Sequence, residues 1–540
     1  MGAVISYFRE LYVGISGLLE GVSEHKALFE ALKKRIASPQ LPVSNPTVSF
    51  WQQNPVFQEL VNIQSENLPS HADIVIIGSG MSGASIAHTL LNECRAMGLK
   101  RKVVVLEGRT VCSGATGRNG GHIKTTFFLE YVKNKERFSS ESAKKIAKFH
   151  MMHLPFLLRL VEAENHAIGE AREVEATDAF TDATRMRGVE KMVETFQKDV
   201  PELADRVKMI RADEVFKTCG LNDLFVGGVT YKSGAMWPYR LVTSVYASLL
   251  AQFSDDFALE TGTMVEEIQL ANDKSTPFML KTSRGNIRAS HVVHATDAFA
   301  ANLVPGLVGK VFPIVNHMSA QRPGKAFPNY NGSKSWSFVG KKDFDYVTQR
   351  PGLPDSEDGL GAEIMIGGGI FHSDDSALDQ VGEWRDDKIN HPTASYLSGV
   401  LPVSFGPASW GEDADGSRVK QLWSGCMGFT LDVLPLVGPL SPKLTKRHVK
   451  PAVTTRETKN NGQLPGSAEW ISAGFNGSGM VMTWLSGVAT ALMILGRENV
   501  KSSGDIWKPE GVVEDWLPKE YLCSPERISR GSINELPKYV

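Results

Sequence analysis

A short apolar run, Asp73-Ile74-Val75-Ile76-Ile77, passes directly into Gly78-Ser79-Gly80-Met81-Ser82-Gly83. Such a run suits a strand buried on both faces of a parallel sheet. Behind the glycines, Ala87, Leu90, Leu91, Cys94 and Met97 share one helical face. Val103 to Leu106 is a second apolar run, and Glu107 closes it. The sequence therefore predicts a βαβ unit with GxGxxG at its first turn. The motif alone says little. Between a strand and a helix, with an acid at the end of the next strand, it points to a dinucleotide. Gly78 permits the tight turn, Gly80 lets the backbone approach a pyrophosphate, and Gly83 lets the helix sit close to the strand. The helix start at Met81 and Ser82 offers free N–H groups and positive partial charge to phosphates. Glu107 suits ribose hydroxyls and would repel a 2′-phosphate. Gly108 and Arg109 continue that turn and belong to the same candidate site.

Two further glycine turns separate FAD from NAD. Cys112 to His122 contains Gly114, Ala115, Thr116, Arg118, Asn119, Gly120 and Gly121, small or polar residues that let a backbone lie against a flat ring. Ser472 to Met480 is another strand–turn–helix pattern, holding Gly474, Asn476, Gly477, Ser478 and Gly479. A second helix N-terminus there could donate N–H groups to a flavin and stabilise charge on the reduced ring. FAD is accordingly the expected cofactor.

At these residues the chain resembles the D-amino-acid-oxidase-type superfamily of FAD-dependent oxidoreductases, which also holds sarcosine, glycine and γ-glutamylputrescine oxidases. The matching blocks are Gly78 to Gly83 with Glu107, Gly114 to Gly121, Tyr346 to Pro351 with Ile364 to Gly369, and Trp423 to Gly438 with Gly474 to Met480. They span roughly residues 72 to 497. The Gly-Ala-Thr-Gly-Arg-Asn-Gly-Gly-His version of the second block is most similar to the γ-glutamylputrescine-oxidase-like branch and to fungal members. The resemblance implies an α/β (α+β) fold: a Rossmann-like FAD-binding domain of the glutathione-reductase-2 type, interleaved with an antiparallel-sheet substrate domain and preceded by a helical N-terminal extension. It also implies oxidation of an amine or amino acid by hydride transfer to flavin N5, with O2 as reoxidant giving H2O2. Val265 would then meet the adenine, Thr296 the pyrophosphate, and Asp432 would keep its place in the last block. Two departures stand out. Ser478 replaces the His of the relatives' Gly-His-Gly, and Leu431 replaces a Pro.

Hydride loss from a carbon beside a neutral amine needs orientation and desolvation more than a strong base. Candidates for those roles are His122, Lys124, Tyr346, Arg350 and Cys426. Sarcosine-oxidase-like enzymes tether their flavin through a Cys in a block like Cys426-Met427, although the spacing to Asp432 is one residue shorter here. A buried inert thiol, and hence non-covalent FAD, is the favoured reading, with Cys426 or His122 as the alternative tether. Lys124 is placed where a water over the flavin would meet O2. Strand alternation puts Tyr346 and Arg350 on one face, so Arg350 could clamp a substrate carboxylate, or serve structurally. His150 and His153 are three apart on a helix, but no third ligand accompanies them, so no metal site is expected. The alternatives to an amine oxidase are a dehydrogenase for a hydroxy acid, a tailoring oxidase of a larger natural product, and a flavin-binding protein without turnover.

The expected organisation is a helical extension at 1–70, FAD-binding segments at 72–135, 216–305 and 421–500, a helical insert at 136–215, an antiparallel sheet at 306–420 and a tail at 501–540. Pro155 is expected to break or kink a helix within the insert. With 540 residues and a net charge of −2, the chain needs more than one core and carries no basic signature of a nucleic-acid partner. Its five cysteines lack CxxC spacing, which fits a reducing, cytoplasmic setting. Residues 1–25 begin with a loose myristoylation pattern and carry an apolar stripe, so packing on the protein body and peripheral contact with a membrane surface are both open.

Overall fold

The computed structural model describes residues 23–352, 361–449, 464 and 466–533. The apolar stripe of residues 1–22, and residues 353–360, 450–463, 465 and 534–540, lie outside them.

Two sheets carry the fold. The first has the order Leu436–Pro439, Ala468–Ala473, Gly285–His294, His71–Ile77, Val103–Leu106, Phe257–Glu260, and the strands from Ala468–Ala473 onward pair in parallel. An antiparallel hairpin, Val265–Leu270 and Phe278–Thr282, extends it from Gly285–His294. All four residues of Val103–Leu106 are buried, as the continuous apolar run requires. The helix Met81–Ala96 covers one face and packs on Thr483–Ile494. Their contact is close because Gly487 has no side chain; a Cβ there would meet Ser85 Oγ at 2.6 Å.

The second sheet has nine strands. Its order is Val419–Thr430, Val311–Gln321, Ile364–Gly368, Phe344–Gln349, Lys334–Val339, Arg172–Phe180, Gly227–Ala235, His122–Ile123, with Val207–Arg211 also on Gly227–Ala235. Only Lys334–Val339 with Arg172–Phe180 is parallel. Its register sets one row of facing residues: Met318, Gly367, Tyr346, Ser337 and Asp178. Directly opposed residues project to the same face of a sheet. Gly367 makes that row feasible, since a Cβ there would lie 2.1 Å from Met318 Sδ and 2.4 Å from the Tyr346 hydroxyl.

Several sequence boundaries move. The insert expected to be helical contains Arg172–Phe180, and Gly227–Ala235 and Val419–Thr430 belong to the antiparallel sheet, not to the FAD-binding segments. Pro155 neither breaks nor ends its helix, which runs unbroken from Ser140 to Ala163. The ring sits on the exposed side, where water can satisfy the freed carbonyl. The segment after 500 is no loose tail: Trp516 and Tyr521 are buried in the main core. Among the described residues no helix is long and apolar enough to cross a membrane.

Candidate active site

A cavity of about 280 Å³ runs between the two sheets, and the first glycine turn forms one wall. Gly78, Gly80, Met81 and Ser82 line it. Gly78 has φ +108°, and a Cβ would meet the Ala295 carbonyl oxygen at 2.5 Å, so the turn tolerates only glycine. Gly83 does not face the cavity. Its role is the predicted close packing: a Cβ would lie 2.1 Å from the Gly78 oxygen. Thr116 Oγ1 accepts from Met81 N at 3.0 Å, so the second glycine turn is tied to the helix start.

Glu107, Gly108 and Arg109 also line the cavity. Glu107 is held by Ser79 Oγ at 2.6 Å and by the Arg109 amide at 2.9 Å. Gly114, Ala115, Thr116, Arg118, Asn119 and Gly120 form the next stretch of wall. Gly121 lies behind it with φ +73°, against Met236 and Trp51. Val265 and Thr296 are in the lining, as are Asn476, Gly477, Ser478, Gly479 and Met480.

Besides Gly83 and Gly121, the structure departs from the expected site at three positions. Gly474 is behind the cavity, its amide donating to Asp297 Oδ1 at 2.9 Å. Asp432 is not in the lining. Its carboxylate is gripped by Arg527 at 2.6 and 3.0 Å, closing the turn after Val419–Thr430. Arg350 does not face the cavity either. The strand ends at Gln349, and the guanidinium turns into a buried clamp between Glu170, at 2.6 Å, and Glu363, both of which raise its pKa against the opposing effect of burial.

His122, Lys124, Tyr346 and Cys426 all border the cavity. The His122 ring meets Tyr346 edge-on, with centroids 5.4 Å apart. Neither of its buried nitrogens has a hydrogen-bond partner among the described residues. Desolvation, reinforced by Lys124, lowers its pKa to about 3, so the imidazole is neutral at physiological pH. Lys124 Nζ is bound at 2.8 Å to Asp178 Oδ1 and at 2.7 Å to Ser337 Oγ. Burial would raise the Asp178 carboxyl, but Lys124, Ser337 and Tyr231 hold it below its usual value. Cys426 is buried, and burial pushes its thiol pKa well up.

Sequence reasoning missed several contributors. Asp297 has φ +45°, rare for a residue with a side chain, and its carboxylate accepts from the amides of Gly428, Gly474 and Phe475. Those bonds join both sheets at the cavity. Leu41 and Pro42 come from the N-terminal extension. That extension is anchored by Thr47, whose amide donates to the Asp386 oxygen at 2.8 Å and whose hydroxyl contacts Arg118 at 3.1 Å. Asp386 itself binds Arg109 at 3.0 Å and Arg118 at 3.4 Å, and all three side chains are buried. No motif marked Asp386. His150 and His153 serve other partners: His150 bridges Glu130 and Tyr521 at 2.7 Å each, and His153 Nδ1 donates to the Phe149 carbonyl at 2.9 Å.

These features suit FAD. A helix N-terminus faces a cavity whose turn is closed to Cβ atoms, a carboxylate stands at the end of the second strand, and unpartnered nitrogens of His122 and the unpartnered Thr296 hydroxyl wait at the wall.

Comparison with known proteins agrees. The model of the family described as FAD dependent oxidoreductase matches residues 73–493. Glycine oxidase from Geobacillus kaustophilus superposes over 82% of this chain and 98% of its own, with TM-score 0.55 and 17% identity. L-proline dehydrogenase from P. horikoshii covers 86% of this chain and 100% of its own, with TM-score 0.56 and 19% identity. NikD, an amino acid oxidase of nikkomycin biosynthesis in its Tyr258Phe form, gives TM-score 0.55 at 18% identity, over 82% of this chain and 98% of its own. A probable oxidoreductase, OrdL, from Haemophilus influenzae is 24% identical over 273 residues, 47% of this chain and 56% of that protein, so the match spans little more than half of the relative. The chain belongs to the DAO family of FAD-dependent oxidoreductases, and FAD is its cofactor.

Proposed function

We propose that the chain oxidises a C–N bond of an amine or amino acid. The carrying observation is the composition of the cavity wall at the antiparallel sheet: neutral His122, the Tyr346 ring, and Lys124 already paired with Asp178. This wall can orient and desolvate a neutral amine without a strong base. When bound, FAD supplies the hydride acceptor: the carbon gives up a hydride, the nitrogen a proton, and the imine is left to hydrolyse.

The residues divide the remaining work. Tyr346 and Met318, on either side of Gly367 in one register row, would shape the wall against which the substrate is oriented. Asn476 steadies the last glycine turn, its Oδ1 accepting from Thr430 N at 2.9 Å. FAD is held non-covalently in this reading, because tethering needs a thiolate and burial keeps Cys426 a thiol. O2 is the proposed reoxidant, leaving as H2O2, with Lys124 as a cation in the cavity wall. A second reading, with another electron acceptor, is favoured by the commitment of Lys124 to Asp178 and Ser337.

The test is anaerobic mixing of holoprotein with a panel of amines and amino acids, followed by air. Flavin bleaching by an amine or amino acid and recolouring with one H2O2 per turnover support the oxidase. Bleaching that reverses only with an artificial acceptor supports the dehydrogenase. Bleaching by hydroxy acids alone overturns C–N oxidation.

A further inference from the structure

The family match begins at residue 73, yet two residues from before it, Leu41 and Pro42, stand in the wall of the cofactor cavity. We propose that residues 40–48 are a strap belonging to the FAD site. Leu41 and Pro42 cover the adenosine half of the cofactor, so strap docking and FAD binding reinforce each other.

Two contacts place the covering pair. Asn302 Nδ2 donates to the Gln40 carbonyl at 2.7 Å, and Arg109 Nη1 lies 3.5 Å from the Val43 carbonyl. Leu41 and Pro42 are the residues between these anchors, and both anchoring side chains also line the cavity. The anchors locate the pair along it. Arg109 follows Glu107, the carboxylate suited to the ribose, and its amide is bonded to that carboxylate at 2.9 Å. Asn302 sits on the short helix Ala300–Leu303, whose last residue packs in one apolar cluster with Val265, the residue expected at the adenine.

The side chains suit that place. A base and its ribose offer flat surface to apolar groups, whereas a pyrophosphate calls for the N–H donors of the helix start at Met81. Leu41 is 44% exposed, so its apolar surface is open to a ligand in the cavity.

The rest of the strap is held at its ends and lightly tied between them. No helix or strand includes residues 37–49. The helix Ser23–Ile36 ends on buried Ile36, and beyond the strap Phe50 and Trp51 are each 1% exposed. Between these locks, the Thr47 amide donates to the Asp386 carbonyl at 2.8 Å. Gln421, on the antiparallel sheet, donates to the Val48 carbonyl at 2.8 Å. A segment carried by a few backbone hydrogen bonds opens at less cost than the fold as a whole. Pro39, Pro42 and Pro46 limit the freedom it gains on opening. A ligand that touches only the docked strap stabilises it, and the docked strap tightens that ligand by the same factor.

The experiment follows amide hydrogen exchange of residues 38–49 in the full chain, without ligand and with FAD, ADP or FMN, alongside FAD titrations of variants. FAD and ADP should slow exchange of the strap by about tenfold or more, and FMN by less than about twofold. Leu41→Ser should weaken FAD binding about tenfold, the scale of one apolar side chain covered by a ligand. Val56→Ser removes another exposed apolar side chain of the extension, one outside the cavity wall, and should leave FAD binding within about twofold. Gln421→Leu, which breaks a strap bond outside that wall, should speed strap exchange about fivefold and weaken FAD with it. Strap exchange that is equal with and without FAD overturns the linkage, whether or not any variant folds. Protection by FMN but not by ADP overturns the placement on the adenosine half. Equal FAD affinity of Leu41→Ser and Val56→Ser overturns the covering role.

Discussion

Replacing Asp386 by Ala removes the anion shared by two buried arginines that border the cofactor cavity. The side chains of Arg109, Arg118 and Asp386 are 7%, 2% and 2% exposed, so solvent screens their interaction little. Taking one partner from a buried ion pair costs about 3–5 kcal/mol, because the remaining charge stays desolvated. Arg118 keeps its bonds to the Ser113 and Ser424 carbonyls at 2.7 and 2.9 Å, which holds the loss within that range despite two stranded cations. Against a typical stability of about 5–15 kcal/mol this is severe. The backbone contact of residue 386 with Thr47 is untouched, so the N-terminal extension should stay docked. Asp386→Asn keeps an acceptor and should lose less. Urea unfolding of the FAD-free protein measures the difference through the midpoint at constant slope, and FAD titration measures the effect on the cavity. A loss below about 1 kcal/mol, the scale of an exposed pair, would refute the assignment of Asp386 as the buried counter-ion of the site.

Three further outcomes are expected. Gly83→Ala should abolish FAD retention or folding, since its Cβ would lie 2.1 Å from a backbone oxygen, whereas Gly114→Ala, with nothing within 4 Å, should fold with unchanged stability; equal behaviour of the two in thermal melts would contradict the packing account. Arg350→Met should cost about 3 kcal/mol, the low end for losing one partner of a buried pair because Glu363 keeps Lys420 at 2.7 Å, without a selective rise in KM for carboxylate substrates; a selective rise would return Arg350 to the substrate. Burial raises the Asp345 carboxyl from 3.8 to about 7 against hydrogen bonds from Tyr396 and Gly369. Its folded pKa exceeds its unfolded one, so its contribution to stability is present below pH 3.8 and lost as pH rises through 7. Asp345→Asn should therefore gain stability relative to the unaltered protein between those values, and a difference that is flat with pH would contradict this.

The parallel half of the fold was legible because strands covered on both faces read as continuous apolar runs, as Ile74–Ile77 and Val103–Leu106 do. The glycine turns were legible because each needs a missing Cβ or a positive φ. The antiparallel half was less so. Arg172–Phe180 mixes Glu with Val and Ala and was absorbed into a helical stretch. Arg350 shows the limit of alternation: the rule held through Tyr346, but the strand ended at Gln349 and the next side chain found Glu170, remote in sequence. Asp178, Ser337 and Tyr346 meet only through register across three strands, which no single segment encodes. Residues 41–47 of the N-terminal extension carry no motif, because Leu41, Pro42 and Thr47 act through position rather than pattern.

The most direct test of C–N oxidation is a single-turnover experiment: FAD-loaded protein mixed with excess amine without oxygen, read by oxidised-flavin absorbance and by the carbonyl product of imine hydrolysis. The expected result is complete loss of the absorbance with one carbonyl formed per flavin. A flavin that stays oxidised with every amine and amino acid, while a hydroxy acid bleaches it, would contradict the account.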